Sequence, residues 1–460
     1  MPDLSLAEIA RIVGGKTEGD PAAVSRLATG YAFDSRTLKP GELFFALKGE
    51  SRDGHEFVPE AESKGACGAV VSRRIDGVSE DFVQIVVDSP LEARQQLASH
   101  VRGCLDVRVA AVTGSNGKTT TKEMLAHILA STYRVSKSPG NFNNHIGVPL
   151  SILGASPDNE VLVLEIASNH RGEIRHLAGI ARPDVGVVTN VGRAHIGHFD
   201  SIEDLAAEKT DLLRALGSTG SAIVNGDDEL LSGALEDIPC RIITFGIQTE
   251  SDFRASGIDH DPKGITRFRV SDVDFEVRTV GLHNVYNSLA AIAAASTLEI
   301  ALEQAAAALK TYEPVRMKRI NVGGLVIIDD SYNANPDSVR SALEAASRLE
   351  AQRRIFVMGE MLELGSRAEV LHTEVGRLLP QFGFSVIVGI GPLTELACRA
   401  ARDAGLNPEG VHFSPTKQEA KEKLAEMLRS GDLVLVKGSR LTGLDEIVDF
   451  IRLACAGGKL

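Results

Sequence analysis

The sequence predicts an α/β protein of three domains, built on mostly parallel sheets. Three observations lead there. Apolar runs bounded by Gly, Pro or Asp alternate with helix-period stretches for most of the chain, the pattern of parallel strands covered by helices on both faces. One strand–helix unit carries a phosphate-binding turn. The length of 460 residues exceeds what a single core comfortably serves.

Strand-like runs fall at 109–112, 161–165, 185–189, 222–224, 325–328, 355–358, 386–388 and 433–436. Helix-period stretches lie between them at 119–131, 202–216, 289–298, 338–349 and 417–428. Two breaks divide the chain. One is near 103–106, just ahead of the strand that feeds the phosphate turn. The other is near 312–317, where Glu313-Pro314 ends a helical run. The expected domains are therefore 1–105, 106–315 and 316–460.

Apolar residues at 43% and charged residues at 24% describe an ordinary globular chain and exclude a disordered or fibrous one. The 49 Lys+Arg against 62 Asp+Glu leave a net charge of −13, which argues against a nucleic-acid partner. An anionic small molecule is compatible with that charge, because helix N-termini and a few cations can hold it locally. Residues 1–20 carry acids and no uninterrupted apolar core, unlike a signal peptide, and no window reads as a membrane span. The five cysteines are far apart with no CxxC pair, so buried reduced thiols and a cytoplasmic location are expected.

The sharpest local signal is Val109-Ala-Ala-Val-Thr-Gly-Ser-Asn-Gly-Lys-Thr-Thr-Thr121. A strand runs through a glycine turn straight into a helix. Gly114 and Gly117 let backbone amides converge on a polyphosphate, Lys118 reaches its terminal oxygens, and the Thr119 hydroxyl can ligate Mg²⁺. Val112 stands where the full Walker A spacing has glycine, so the loop is the shorter G-x-x-G-K-T form.

In parallel sheets, ligands come from the carboxyl ends of strands. Glu165 stands at such an end, where a carboxylate is costly to bury unless paired or metal-bound. His195 follows the next strand. Taken singly, Glu165 could be a helix cap and His195 a loop histidine; their shared position beside one phosphate loop favours function. Lys209 reads on composition alone as a solvated helix lysine. His283, Asn284 and Asn287 open an alanine-rich helix, where polar side chains often only cap. Asp329 to Pro336 follow another strand end; their acids and asparagines suit either an Asx-turn or a ribose.

Thr113-Gly-Ser-Asn-Gly-Lys-Thr-Thr120, Glu165, residues 190–195, Ala207-Glu-Lys209, His283-Asn284, Asn287, Asp330-Ser-Tyr-Asn-Ala-Asn-Pro336 and Lys437-Gly-Ser-Arg440 together resemble the Mur ligase family. The similarity runs in order from about residue 32 to 449. Asp34-Ser-Arg-Thr37, the stretch from Gly41 to Gly49, and Asp53-Gly-His55 are similar to that family's UDP-muramoyl-binding domain. The stretches 141–150 and 169–174 are similar to its members that add D-alanyl-D-alanine, and the D-N-P-R signature of diaminopimelate-adding members is absent. His145 stands where many relatives have Glu, and Thr442-Gly443 departs from the usual pattern after Ser439-Arg440.

The resemblance implies an N-terminal UDP-binding α/β domain, a central P-loop ATPase and a Rossmann-like C-terminal domain. It implies an ATP-dependent amide ligase that works through an acyl phosphate, with UDP-N-acetylmuramoyl-tripeptide and D-Ala-D-Ala as partners and a monomeric chain. It implies catalytic roles for Lys118, His195 and Lys209. Gly114, Ser115, Asn116, Gly117, Lys118, Thr119, Thr120, Asn287, Arg319, Asp330 and Asn333 would hold ATP. Thr119, Glu165, His195 and a carbamylated Lys209 would hold two Mg²⁺ ions. Ser35, Arg36, Lys48, Asn141, Asn144, Asn169 and His170 would meet the other substrates.

Overall fold

The computed structural model describes residues 3–49, 52–192 and 199–456. Its strands form three sheets that follow one another along the chain. The first contains β1 (Lys16–Glu18), β2 (Gly30–Ala32), β3 (Glu42–Phe45), β4 (Gly68–Val71) and β5 (Val83–Val86), in the order β1-β5-β4-β3-β2. Only β1 is antiparallel to its neighbour. These strands are three or four residues long and are not among the expected ones; β1, β2, β3 and β5 break their apolar runs with Lys, Glu, Tyr or Gln.

The second sheet contains β6 (Arg108–Thr113), β7 (Val135–Lys137), β8 (Val161–Glu165), β9 (Val185–Val188), β10 (Ser221–Asn225), β11 (Arg241–Gly246), β12 (Phe253–His260), β13 (Thr266–Val270) and β14 (Val273–Val277). Its order is β14-β13-β12-β11-β10-β9-β6-β8-β7, parallel from β12 to β7. β8 and β9 are buried along their full length, which is why they read as continuous apolar runs. The edge formed by β12 to β14 is antiparallel, with Phe268 stacked on Phe275. That ribbon was absent from the expected strands. Its signal is the alternation in Thr-Arg-Phe-Arg-Val, whose residues are buried and exposed by turns.

The third sheet contains β15 (Lys318–Val322), β16 (Leu325–Asp330), β17 (Arg353–Gly359), β18 (Val386–Ile390), β19 (Val411–Ser414) and β20 (Asp432–Lys437), in the order β15-β16-β20-β17-β18-β19. All neighbours are parallel except the β15–β16 hairpin.

The expected helices are present, with ends within two residues at Lys118–Leu129, Ile202–Arg214, Pro336–Ser347 and Lys417–Met427, whereas the one expected at 289–298 starts two turns earlier and spans Leu282–Thr297. Several of these starts follow from capping. Ser201 accepts from the Asp204 amide, and Asn335 accepts from the Ser338 amide with Pro336 in the first turn. Among the cysteines, Cys67 and Cys398 are buried as expected, whereas Cys104 is exposed at a helix end and Cys240 and Cys455 are half-buried. No described helix is long and apolar enough to cross a membrane.

Strand order positions the site. From β6 the chain moves first to one side, through β7 and β8, and then to the other, through β9 and β10. The crevice at such a reversal lies beyond the carboxyl ends of the strands, where ligands bind in open α/β sheets. The turn after β6 occupies it. In the third sheet, β16 and β20 are neighbours with Asp330 in register with Lys437, so both strand ends deliver their loops to one place.

Candidate active site

A cleft of about 860 Å³ lies between the central and C-terminal domains. On the central side it is lined by Ser115 to Thr120, Asn141, Asn143, Glu165, Asn169, His283 and Asn287. On the other side stand Arg316, Asp330, Tyr332, Asn333, Asn335, Lys437 and Arg440.

The phosphate loop has its shape because two side chains press on it. Gly114 has φ +138° and Gly117 φ +82°. A Cβ on Gly114 would lie 2.0 Å from the Thr189 hydroxyl, and one on Gly117 would lie 2.1 Å from Asn287 Oδ1. Both positions therefore require glycine for space as well as for conformation. The loop is anchored to β9's exit: the Ser115 amide donates to the Asn190 carbonyl at 2.9 Å, and the Asn116 amide to Asn190 Oδ1 at 3.0 Å. Gly117 then caps helix Lys118–Leu129 without a side-chain bond, which leaves the first amides of that helix facing the cleft. Lys118 Nζ donates to the carbonyls of Gly114 at 2.8 Å and Ser115 at 3.1 Å. Burial, opposed by nearby Glu165 and reinforced by Arg316, lowers its pKa.

Glu165 caps no helix. Its side chain is buried, Oε1 accepts from Asn143 Nδ2 at 2.8 Å, and its own amide donates to Ser138 Oγ at 3.2 Å. Among the described residues Oε2 has no hydrogen-bond donor; Lys122 Nζ is 3.7 Å away and donates to the carbonyls of Ser138 and Gly140. A buried carboxylate oxygen without a donor, in the same cleft wall as the Thr119 hydroxyl, is an oxygen donor set that suits Mg²⁺, which takes few protein ligands and completes its shell with phosphate and water. No cluster of three or more His, Cys, Asp or Glu able to hold a metal occurs among the described residues.

Lys209 departs from its compositional reading. It is 1% exposed on helix Ile202–Arg214, where Nζ donates to Ser168 Oγ at 3.1 Å. Burial, with Lys118's charge added, pulls its pKa down to about 7. Its neighbour Glu208 accepts from the amides of Gly172 and Ile174, at 2.7 and 2.9 Å, and so fixes the start of helix Glu173–Ala181. His195 lies outside the described residues.

His283 is held neutral, since burial pushes its pKa down to about 4. Asn284 and Asn287 do more than cap. Asn284 Nδ2 donates to Thr279 Oγ1 at 2.7 Å and to the Val280 carbonyl at 2.9 Å, and its Oδ1 accepts from Asn287 at 3.3 Å. This chain of bonds sets Asn287 over Gly117.

Across the cleft, the Asx-turn and the polar-site readings of 329–336 are both realised, by different residues. Asp329 Oδ1 accepts from the amide and hydroxyl of Ser331, while Asp330 pairs with Lys437 and lines the cleft. Lys437 also donates to the Asn333 carbonyl at 2.9 Å. Asn335 caps its helix and donates to Asn116 Oδ1 at 2.8 Å, tying the C-terminal domain to the phosphate loop.

Arg319 requires a correction. It is on β15 outside the cleft, and its guanidinium donates to the Lys263 carbonyl and to Asn321 Oδ1. Strand alternation and the β15–β16 hairpin turn it away, and Arg316, just ahead of the strand, lines the cleft instead. Sequence reading also gave no role to Asn143 or Tyr332, and it read Asn335 as an Asx-turn or ribose contact where the structure makes it a helix cap. The last had a signal, an asparagine directly before a helix-starting proline.

Of the expected substrate contacts, Asn141 and Asn169 line the cleft. Asn144 Oδ1 accepts from the amides of Ile146 and Gly147, at 3.0 and 2.9 Å, and so starts helix Gly147–Leu153. His170 is largely exposed beside Glu173. The three N-terminal residues stay within their own domain: Ser35 donates to Glu60 at 3.0 Å, Arg36 pairs with Asp34 at 2.7 Å, and Lys48 is exposed at a bridge to Asp53.

Three family models match the chain: Mur ligase family, catalytic domain at 28–102; Mur ligase middle domain at 112–295; and Mur ligase, glutamate ligase domain at 315–440. The UDP-N-acetylmuramoyl-tripeptide--D-alanyl-D-alanine ligase of Bacillus subtilis is 36% identical over 450 residues, covering 96% of this chain and 97% of its own. The Escherichia coli protein of the same name is 32% identical, with 97% and 98% covered. A crystal structure of MurF from Acinetobacter baumannii superposes with TM-score 0.88 at 29% identity, covering 98% and 99%. That of the MurF ligase from Thermotoga maritima in complex with ADP gives 0.82 at 27% identity, covering 94% and 98%. The chain belongs to the Mur ligase family.

Proposed function

We infer that this chain is an ATP-dependent ligase that joins D-alanyl-D-alanine to UDP-N-acetylmuramoyl-tripeptide in the cytoplasmic synthesis of peptidoglycan precursor. The observation that carries the reading is the cleft: a phosphate loop, a buried carboxylate oxygen without a donor and a polar wall from a second domain face one space, in a chain 36% identical over nearly its whole length to a ligase of that name. Residues 1–105 would hold the UDP-muramoyl end, 106–315 the ATP, and 316–460 would complete the site.

In this reading the tripeptide's terminal carboxylate takes the γ-phosphoryl group of ATP, releasing ADP. The D-Ala-D-Ala amine then attacks the acyl carbon and phosphate leaves, so an amide bond replaces the acyl–phosphate bond. The amides of residues 117–119 and the Lys118 ammonium cradle the phosphates and offset charge as it moves to the bridging oxygen. Asn287 holds the loop in shape from above. A Mg²⁺ held by Thr119 and Glu165, and a second with His195, would neutralise the phosphate oxygens. Asp330 keeps one carboxylate oxygen for a ribose hydroxyl while Lys437 fixes its orientation.

Lys209 is assigned a carbamate, formed when its amine adds CO₂ and releases a proton. Two observations support it: Nζ is almost wholly buried, and its pKa near 7 leaves much of it as free amine at neutral pH. The reaction also turns a cation beside Lys118 into an anion, relieving repulsion in a poorly solvated place. Isotopically labelled bicarbonate should give a carbamate carbon resonance that Lys209→Ala removes; an unchanged resonance would reject the assignment. The main reading is tested by ADP release with ATP and UDP-muramoyl-tripeptide. Release should depend on D-Ala-D-Ala, and turnover of UDP-muramoyl-dipeptide with lysine or diaminopimelate in its place would move the chain elsewhere in the family.

A further inference from the structure

The cleft contains four Lys or Arg side chains among the described residues: Lys118, Arg316, Lys437 and Arg440. Two are accounted for. Lys118 belongs to the phosphate loop, and Lys437 is engaged by Asp330 and the Asn333 carbonyl. The two arginines have no carboxylate partner among the described residues, and both meet a single aromatic ring. Arg316 Cζ lies 3.2 Å and Arg440 Cζ 4.6 Å from the centre of Tyr332.

Tyr332 thus carries two guanidiniums with different surroundings. Arg316 is half-buried and close enough to Lys118 for its charge to be felt there, which places it on the phosphate side. Arg440 is exposed at the mouth of the cleft, on the short turn Arg440–Thr442 that follows β20. A guanidinium stacked on a ring keeps its N–H edge free for an anion, and its planar fork matches a carboxylate.

The acceptor of the proposed reaction brings such a group. D-Ala-D-Ala attacks through its amine and keeps its C-terminal carboxylate throughout. That carboxylate must enter a cleft that already holds a polyphosphate, so its counter-charge has to stand apart from the phosphate loop. We propose that Arg440, oriented by Tyr332, binds the C-terminal carboxylate of the acceptor dipeptide. The inference rests on the ligase reading and names the residue that sets acceptor specificity. Lengthening the acceptor moves its carboxylate away from the reacting amine and toward the mouth, where Arg440 stands. A site built to pair a carboxylate rejects an acceptor that lacks one, because the arginine is then left without its partner.

The experiment compares D-Ala-D-Ala with its C-terminal carboxamide in ADP release by the full chain, at saturating ATP and UDP-muramoyl-tripeptide. The wild type should favour the acid by about 10–10²-fold in kcat/KM, the range for losing one charged hydrogen-bonding partner. Arg440→Ala should erase most of that preference by raising KM for D-Ala-D-Ala far more than KM for the carboxamide or for ATP. Arg440→Lys should restore part of the preference. The side chain is exposed, so the variants should melt like the wild type. An Arg440→Ala enzyme that still prefers the acid, or one whose ATP KM rises instead, would overturn the assignment. A wild type that turns over ATP with a free amino acid and not with D-Ala-D-Ala would overturn the ligase reading, and this inference with it.

Discussion

Helix Pro90–Cys104 joins the N-terminal sheet to the central domain through Leu97, Ala98 and Val101, which share one continuous core with Ile152, Leu153, Ile174 and Leu177. The central and C-terminal domains meet instead across a polar cleft, where Asn335 reaches Asn116 and most facing side chains are polar or charged. Val280, packed into the C-terminal core, is one of the few apolar links there. Separating the first pair of domains would expose core surface at about 25 cal/mol per Å². Opening the second mainly exchanges protein hydrogen bonds for water, at a net cost near 1 kcal/mol each. Parting the central and C-terminal domains would therefore cost less than parting the first two, and would take Arg316, Asp330 and Lys437 away from the phosphate loop.

Lys118→Ala is the sharpest test of the polar side and carries the largest expected effect. Its side chain serves charge and not packing, so turnover should fall by at least about 10²-fold, the scale for losing a preorganised electrostatic contact. The thermal midpoint should hardly move. Retention of more than about a tenth of the wild-type rate, or a large loss of stability, would show that the lysine does structural work.

Leu97→Ala tests the apolar side and should do the reverse. Leu97 is completely buried where the N-terminal and central domains share their core. Truncation should cost about 3 kcal/mol in urea unfolding, for lost transfer energy plus a cavity. At temperatures where the variant stays folded, KM for ATP should match the wild type. Should ATP affinity fall while stability holds, the two junctions would not be independent.

The same division decides what could be read in advance. Parallel strands such as β8 and β9 announce themselves because both faces are buried, and the phosphate loop because glycines, lysine and threonine fall at fixed spacing between a strand and a helix. The short strands β1 to β5 gave no such pattern, and the family resemblance alone pointed to an α/β unit there. Lys209 shows the limit of composition. Nothing in Ala-Glu-Lys-Thr marks it as buried, because burial is set by Ser168 and by the helix that Glu208 starts, both distant in sequence. Arg319 and Arg316 show the limit of spacing: three residues apart, they are separated by where β15 begins, a boundary that sequence places only to within a few residues.

Arg94 is the discordant residue of the apolar junction. It lies on helix Pro90–Cys104 with its side chain wholly buried, and among the described residues none of its three guanidinium nitrogens has a hydrogen-bond partner. Its Cζ lies over the ring of Phe33, 5.8 Å from the centroid. Burial pulls its pKa down to about 10, which still leaves it charged at neutral pH. An unpaired buried charge carries a desolvation penalty that an apolar side chain of similar length avoids, and even paired buried ions have been replaced with a gain of about 1–4 kcal/mol. Methionine is unbranched and flexible enough to follow the same path through the core. Arg94→Met is therefore expected to raise stability by about 1 kcal/mol, the smallest of the three effects, seen as a higher urea midpoint at unchanged slope. Arg94→Ala should gain less or lose, because it also opens a cavity. If Arg94→Met instead lowers the midpoint as Leu97→Ala does, the guanidinium is paired in solution, and the junction between the first two domains is less apolar than its packing indicates.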